Sequence, residues 1–227
     1  NKNIYFFSDI KKIRKIRNTI NYKKIKFYEF KEFVNVLNNL KGKNFSIDKN
    51  SCSVFNKSII LSKFNILNEN DPCYALKAIK NKTEIKNMTD AHISDGVALT
   101  KFLYWIKNKK DFNLTEIDAE KKLENFRKKN NNFLYPSFNT IAGSGPNGAI
   151  IHYRSNKNSN RKINKKDIFL CDSGGQYKYG TTDVTRTICF SKPPKRIKNI
   201  FTRVLKGHIA VFKTNLNKID TGEEIEK

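Results

Sequence analysis

The chain has 227 residues and a formal net charge of +24, which by itself would suggest a polyanionic partner such as a nucleic acid or an anionic membrane. The lysines are spread over the whole length beside Asn and Ile, without a basic helix that carries interleaved aromatic residues, so we expect no nucleic-acid partner. No apolar run approaches the roughly 18–20 residues that span a bilayer, and we expect no membrane partner. The length and the 38% hydrophobic content allow one large domain or two small ones.

Residues 1–75 alternate short apolar runs with polar turns, which is an α/β pattern. Apolar positions at helical spacing predict a helix over 30–40. The runs that predict strands are Ile4–Phe7, Lys26–Tyr28, Phe45–Ile47 and Ile59–Leu61. Asp71-Pro72 marks a change of character, and we place a domain boundary between residues 75 and 76.

Two amphipathic helices are predicted after this boundary. Thr83 can cap a helix that continues through Trp105, with His92 packed or surface-linked rather than a ligand. Thr115 opens a second helix with a sequence that resembles a capping box, and Ala119, Leu123 and Phe126 form its buried stripe.

A glycine-rich loop at 143–148 follows the strand-like run 136–141. It resembles a phosphate-binding loop only weakly, because no lysine and no helix follow it. It leads into Ala149–Tyr153, for which we predict a buried strand that delivers His152 at its end. A histidine after an apolar run is most often a satisfied core or turn residue, so the residues alone leave the role of His152 open.

The stretch from Asp167 to Phe190 predicts a β-hairpin, because an apolar run and a β-branched run flank a glycine-rich turn. A turn centred between Tyr177 and Lys178 places Asp172 opposite Asp183. Two carboxylates about 5 Å apart repel by roughly 3 kcal/mol at an effective dielectric constant of about 20, and a divalent cation between them reverses the sign. The alternative is that one aspartate caps the turn while the other is solvated.

Two segments carry a family resemblance. The run 172–187, from Asp172-Ser173-Gly174-Gly175 to Thr185-Arg186-Thr187, resembles the first metal-binding hairpin of the aminopeptidase P (Xaa-Pro aminopeptidase) family. The run 138–153, Phe138-Asn139-Thr140-Ile141 to His152-Tyr153, is similar to the same family's substrate-site histidine segment. The runs 76–81, 91–92 and 204–210 add to the resemblance, which is weak before about residue 70.

The resemblance implies an α+β chain with the pita-bread (creatinase/aminopeptidase) fold. Residues 1–75 would be part of a creatinase-like middle domain, and 76–227 the N-terminal part of the catalytic domain. Asp172 and Asp183 would be ligands of two divalent metal ions, for which the family suggests manganese while the sequence leaves zinc and cobalt open. His152 would be the catalytic and substrate-binding residue that contacts a peptide with proline in second position.

The family's remaining ligands, one histidine and two glutamates, have no match here and would follow residue 227. We therefore expect a fragment, or a truncated gene product, that is inactive alone and belongs to an enzyme that allows a homodimer.

A helix over 197–214 is predicted after the hairpin, with Ile200, Val204, Leu205, Ile209 and Phe212 facing inward. His208 lies on this helix and is not nominated as a ligand.

Three readings stay open beside this one. The chain could be a non-catalytic pita-bread module that binds peptides or proteins, or it could have methionine aminopeptidase or prolidase chemistry on the same fold.

The four cysteines show no Cys-x-x-Cys spacing, and Cys171 and Cys189 lie in the predicted strands as small buried thiols. They indicate a reduced, cytoplasmic setting. No signal peptide is recognised, and because Asn1 is not a Met we expect the natural N-terminus to lie upstream.

Overall fold

The computed structural model describes residues 3–14, 24–109, 113–215 and 221–226. The chain divides into two compact units, of which the first ends at Lys80 and the second begins at Asn81. None of the described helices combines the length and the apolar character that a bilayer span requires.

The first unit contains two parallel strand pairs and short helices, which confirms the predicted α/β pattern. Strand β1 (Ile4–Phe7) pairs with β2 (Ile25–Tyr28), and β3 (Asn44–Ile47) pairs with β4 (Asn65–Asn68). The helices are α1 (Ile10–Ile13), α2 (Phe33–Asn38) behind a 3-10 turn at Phe30–Glu32, α3 (Val54–Leu61) and α4 (Pro72–Ala78).

The predicted strand at Ile59–Leu61 is wrong, because these residues form the last turn of α3. The Ser53 hydroxyl caps this helix by accepting a hydrogen bond from the Asn56 N–H, and such a cap favours the helical start. Ile60 then faces a small core with Leu37, Ile47 and Phe64, all buried. The β-branched pair Ile59-Ile60 thus packs from a helix face rather than from a strand.

Two helices open the second unit. Helix α5 (Lys82–Asn108) begins two residues earlier than the Thr83 cap predicts, because Asn81 and Glu84 form a capping box. Helix α6 (Glu116–Arg127) has the predicted capping box of Thr115, completed by Asp118. Both caps bond the free N–H groups of a first helical turn, which is why local sequence defines these starts.

In the described part of this unit, six short strands lie beside these helices. Two three-stranded antiparallel arrangements result, in the orders β10-β7-β6 and β5-β8-β9. The strands are β5 (Phe133–Pro136), β6 (Ile141–Ser144), β7 (Ile168–Ser173), β8 (Gly175–Tyr177), β9 (Gly180–Thr181) and β10 (Val184–Cys189). The core of the unit is formed by apolar residues of the helices and strands, including Phe102, Ile106, Leu123, Phe169 and Cys171.

Strand β7 has one closed and one open face. Phe169, Cys171 and Ser173 are buried, whereas the alternate positions Ile168, Leu170 and Asp172 are half-buried. Because side chains alternate along a strand, the aspartate belongs to the open face. This alternation places a carboxylate where a ligand can reach it.

The helix predicted over 197–214 is confirmed as α7 (Lys195–Phe212), and a short helix α8 (Gly222–Glu226) follows. The prediction that its apolar side faces inward is wrong for the described residues. The side chains named for that side are all exposed: Ile200, Val204, Leu205, Ile209 and Phe212. Helical periodicity defines an apolar side but not what covers it.

Candidate metal centre

Strands β7 and β8 form a continuous antiparallel ribbon with β9 and β10, as the hairpin prediction required. Its register differs from the prediction by two positions, because Thr185 and not Asp183 lies opposite Asp172. Tyr177 pairs with Gly180, so the turn is the two-residue loop Lys178-Tyr179. The direct opposition of Asp172 and Asp183 is therefore wrong.

The burial of Tyr177 explains this register. Its ring is 0% exposed, and its hydroxyl donates a hydrogen bond to Asp95 Oδ1 at 2.9 Å. The predicted turn, centred between Tyr177 and Lys178, would make Tyr177 a turn residue; instead Tyr177 pairs with Gly180 in the strand, and the chain reverses one residue later. Burial raises the pKa of the Tyr177 hydroxyl well above its usual range, and the nearby Asp95 carboxylate raises it further.

The corrected register still places both aspartates on one side of the ribbon. The pairs Val184–Ser173 and Thr181–Gln176 have the same offset, which puts Asp183 level with Gly174. A residue two positions from a direct partner is a diagonal neighbour on the same face, with a Cβ separation of roughly 7–8 Å or somewhat less. Such a separation suits ions that lie between two carboxylates.

Each aspartate has a distinct environment. Asp172 is half-buried, and its Oδ1 accepts a hydrogen bond from the Thr185 hydroxyl at 2.8 Å. Asp183 is exposed just before β10. Thr185 thus orients the first carboxylate and leaves its second oxygen available. Thr185 was not predicted from the sequence, although the corrected register places it directly across from Asp172.

The donor chemistry fits a divalent cation in part. Carboxylate oxygens are suitable ligands for hard and borderline divalent ions. Within the described ranges, no group of three or more His, Cys, Asp or Glu side chains is close enough to hold a metal ion. The described residues therefore fit two oxygen ligands of a metal site and not a complete coordination shell.

The structure places His152 differently from the prediction. Residues Gly145–Ala149 form a 3-10 helix, and no strand follows over 149–153. Ile151 is 85% exposed, so the apolar run is not buried. His152 itself is exposed and has φ of +54°, a left-handed conformation that costs a non-glycine residue on the order of 1 kcal/mol or more. Gly145, with φ of +57°, starts the tight turn that replaces the predicted strand.

The 3-10 helix nevertheless brings this segment to the aspartate face. A Cβ built on Gly148 would lie 3.5 Å from the Cβ of Leu170, which shares the open face of β7 with Asp172. The chain from Gly148 to His152 is four residues long. The structure thus brings the histidine-bearing segment to the same face as Asp172.

A buried ion pair supports the ribbon from the other face. Arg127 Nε donates to Asp95 Oδ1 at 2.6 Å, and its Nη2 lies 3.0 Å from Asp95 Oδ2. The same Nη2 donates to the Ser173 hydroxyl at 3.0 Å, one residue after Asp172. This pair was not predicted from the sequence. Its signal was an aspartate on the apolar side of α5, one turn from Ala91 and Leu99, which are both buried.

Solved structures define the class of protein. The chain is similar to a crystal structure of X-prolyl aminopeptidase from Caenorhabditis elegans, described as a cytosolic enzyme with a di-nuclear active site, with a TM-score of 0.78 and 29% identity. The match covers 92% of this chain and 36% of that one. The fold is the pita-bread fold, of which this chain covers part of the catalytic domain.

Residues 86–226 match metallopeptidase family M24, and the chain belongs to that family. It is 45% identical over 157 residues to Xaa-Pro aminopeptidase ApepP of Drosophila melanogaster, which covers 68% of this chain and 26% of that protein. It is 49% identical over 137 residues to aminopeptidase P2 of Arabidopsis thaliana, covering 60% of this chain and 19% of that protein. The chain thus spans about a quarter of the length of the curated relatives or less.

Proposed function

We propose that this chain is part of a metal-dependent Xaa-Pro aminopeptidase, a hydrolase that releases the N-terminal residue from peptides with proline in second position. The observation that carries the proposal is the placement of Asp172 and Asp183 on one face of the ribbon, inside the segment that matches the metallopeptidase family. Relatives of 45% and 49% identity that are named Xaa-Pro aminopeptidase and aminopeptidase P2 support the substrate class.

In this proposal both aspartates would be metal ligands. Asp172 would hold metal through the oxygen that Thr185 leaves available, and Asp183 would do so from its exposed position. The chemistry that the metal pair supplies when bound is a water molecule acidic enough to attack an amide carbonyl at neutral pH. Manganese is the proposed metal. The full-length enzyme is proposed to be cytoplasmic, and a homodimer is compatible with this proposal.

His152 acts on the substrate side. Its exposed imidazole, carried by a segment that packs on the Leu170 end of the same face, is available to donate a hydrogen bond to the peptide next to the scissile bond. A donor at this position orients the carbonyl and stabilises the negative charge that develops on its oxygen. His152 therefore binds and positions the substrate and is not proposed as a metal ligand.

The 227 residues alone are proposed to be inactive, because the described part of the chain offers two carboxylates and no third ligand for a metal. The general base and the other ligands would be supplied by the rest of the full-length protein. Activity is therefore a property to test in that protein.

The test is Asp183→Asn in the full-length protein. We expect the metal content per chain to fall and the release of the N-terminal residue from an Xaa-Pro peptide to decrease by at least about 100-fold. Asp90→Asn is the matched control, because Asp90 is a surface residue of α5 that pairs with Lys86. Unchanged turnover and metal content in Asp183→Asn would refute the assignment.

A non-catalytic peptide-binding module is the second candidate, favoured by the incomplete ligand set of the described residues. The peptide-turnover assay on the full-length protein distinguishes the aminopeptidase from the binding module. A full-length protein that is supplied with manganese and binds an Xaa-Pro peptide, but does not cleave it, would support the module.

A further inference from the structure

The carboxylate of Glu116 is buried at the start of α6, and the proposed chemistry does not use it. Its side chain is 0% exposed. Among the described residues, no Lys, Arg or His forms an ion pair with it, in contrast to Asp95, which has Arg127. A buried carboxylate is costly unless hydrogen bonds satisfy its oxygens. The partners of Glu116 therefore indicate why a glutamate is at this position.

All of these partners are donors, and all come from one segment, residues 144–161. The Ser144 N–H donates to Oε1 at 2.7 Å, and the Arg161 N–H donates to Oε2 at 3.0 Å. The Tyr153 hydroxyl donates to Oε2 at 2.7 Å, and Asn147 Nδ2 lies 3.1 Å from both oxygens. One carboxylate thus binds the first turn, the middle and the end of the segment.

The end of the segment is also attached to the backbone of α6. The Glu116 N–H donates to the Arg161 carbonyl oxygen at 3.0 Å, and the Ile117 N–H donates to Asn160 Oδ1 at 3.1 Å. The N-terminus of a helix favours a negative charge, and Glu116 is the first residue of α6. The segment is consequently closed into a loop with Glu116 at its centre.

His152 lies inside this loop and next to one of the donors. Tyr153 is 5% exposed, and its hydroxyl is fixed on Glu116, so the Cα of the adjacent His152 is fixed as well. The left-handed backbone of His152 is strained for a non-glycine residue, and such strain persists only where the surroundings determine the conformation. The hydrogen bonds between Glu116 and its four partners fix this backbone conformation.

We infer that Glu116 is a positioning residue that closes the 144–161 loop and thereby holds His152 at the substrate side of the metal centre. The inference rests on the proposed function, in which His152 contacts the peptide. A glutamine is a poor replacement, because its amide NH₂ would face donors that need an acceptor. The carboxylate is required because every partner donates.

The experiment compares Glu116→Gln, His152→Ala and the double variant in the full-length protein. Glu116→Gln should lower kcat/KM for an Xaa-Pro peptide by about 100-fold, as expected for a displaced substrate-positioning group, with an unchanged metal content. Because Glu116 acts through His152, the double variant should be no slower than His152→Ala alone. Independent losses that multiply in the double variant would overturn the inference.

Two further variants control for folding and for chemistry. Tyr153→Phe removes one donor and keeps the ring, so a loss of about 3- to 10-fold is expected. Glu124→Gln makes the same chemical change on the same helix, at a surface residue that pairs with Lys128, and should leave kcat/KM unchanged. If the single variants Tyr153→Phe and Glu116→Gln both showed wild-type kinetics, the inference would also be overturned.

Amide hydrogen exchange separates the inference from the proposed function. Exchange over 144–161 should be at least about tenfold faster in Glu116→Gln, whereas α5 should keep its protection. If His152→Ala retains full activity while Glu116→Gln shows faster exchange over 144–161, the role proposed for His152 fails, but Glu116 still closes the loop. If the loop keeps its wild-type protection in Glu116→Gln, the inference fails whatever the activity.

Discussion

Replacing Arg127 tests how far the ribbon depends on the ion pair beneath it. Arg127→Met removes two contacts to Asp95, at 2.6 and 3.0 Å, and one to the Ser173 hydroxyl at 3.0 Å. The side chains of the pair are 1% and 0% exposed, so water cannot replace the guanidinium. Removing one partner of such a pair costs about 3–5 kcal/mol, and we expect the free energy of unfolding to fall by about 4 kcal/mol.

A double variant isolates the buried charge as the cause. Asp95→Leu combined with Arg127→Met removes both charges, and it should recover at least about 2 kcal/mol relative to Arg127→Met alone. Recovery stays incomplete, because the Tyr177 hydroxyl loses its acceptor at a cost of about 1–3 kcal/mol.

Urea unfolding followed by the fluorescence of Trp105 provides the assay, since the chain has 1 Trp and it lies on α5. The control is Lys128→Met, which breaks the exposed pair with Glu124 and should cost at most about 1 kcal/mol. A cost below about 1 kcal/mol for Arg127→Met, or a double variant as unstable as the single one, would refute the reasoning.

Three further predictions concern the ribbon. Gly174→Ala should abolish the cooperative urea transition, because its Cβ would overlap the Thr182 carbonyl oxygen and the Ser137 hydroxyl; a transition near that of the wild type would contradict this. Thr185→Val removes the donor to Asp172, and titration calorimetry of the full-length protein should show about tenfold weaker Mn²⁺ binding; equal affinity would mean that Asp172 is oriented without it. Burial raises the pKa of the Cys171 thiol from 9.0 to about 11, so the unfolded chain ionises first and the free energy of unfolding should fall by about 2 kcal/mol as the pH rises from 9 to 11. Cys171→Ala should flatten this part of the stability profile, whereas an unchanged slope would assign it to other groups.

Local chemistry explains which predictions succeeded. The cap at Thr115 depends on a residue three positions away, and the helices α5, α6 and α7 depend on periodicity within one segment. Such information lies within a short stretch of sequence. The start of α5 was misplaced by two residues because Asn81 and Thr83 are both capping residues, and only the Glu84 side chain selects the first.

Contacts between distant residues explain which predictions failed. The register of the ribbon depends on the Tyr177 hydroxyl, which reaches Asp95 on a helix 82 residues earlier. The segment 149–153, predicted as a strand, is a turn. Ser144, Tyr153 and Arg161, which flank or end it, all donate hydrogen bonds to the Glu116 carboxylate. Neither contact leaves a periodic signal. The buried polar residues that organise this unit are therefore the ones that hydrophobic patterns do not reveal.

The corrected register changes the argument for a cation. At an effective dielectric constant of about 20, two unit charges repel by about 3 kcal/mol at 5 Å and by about 2 kcal/mol at 7.5 Å. The exposure of Asp183 lets water reduce this repulsion further, so the ribbon tolerates the two aspartates without an ion. Repulsion between them is thus weak evidence for a metal.

Rigidity at Asp172 is the stronger support for the proposed metal site. A metal site requires donors that stay in place while at least one face is open to the ion and to the substrate. Asp172 satisfies both conditions, because Thr185 holds its carboxylate from the next strand and Arg127 holds the adjacent Ser173 from the closed face. A solvated turn aspartate would need neither contact. The proposed metal site is therefore supported by how the ribbon is fixed on its buried side, together with the family to which the chain belongs.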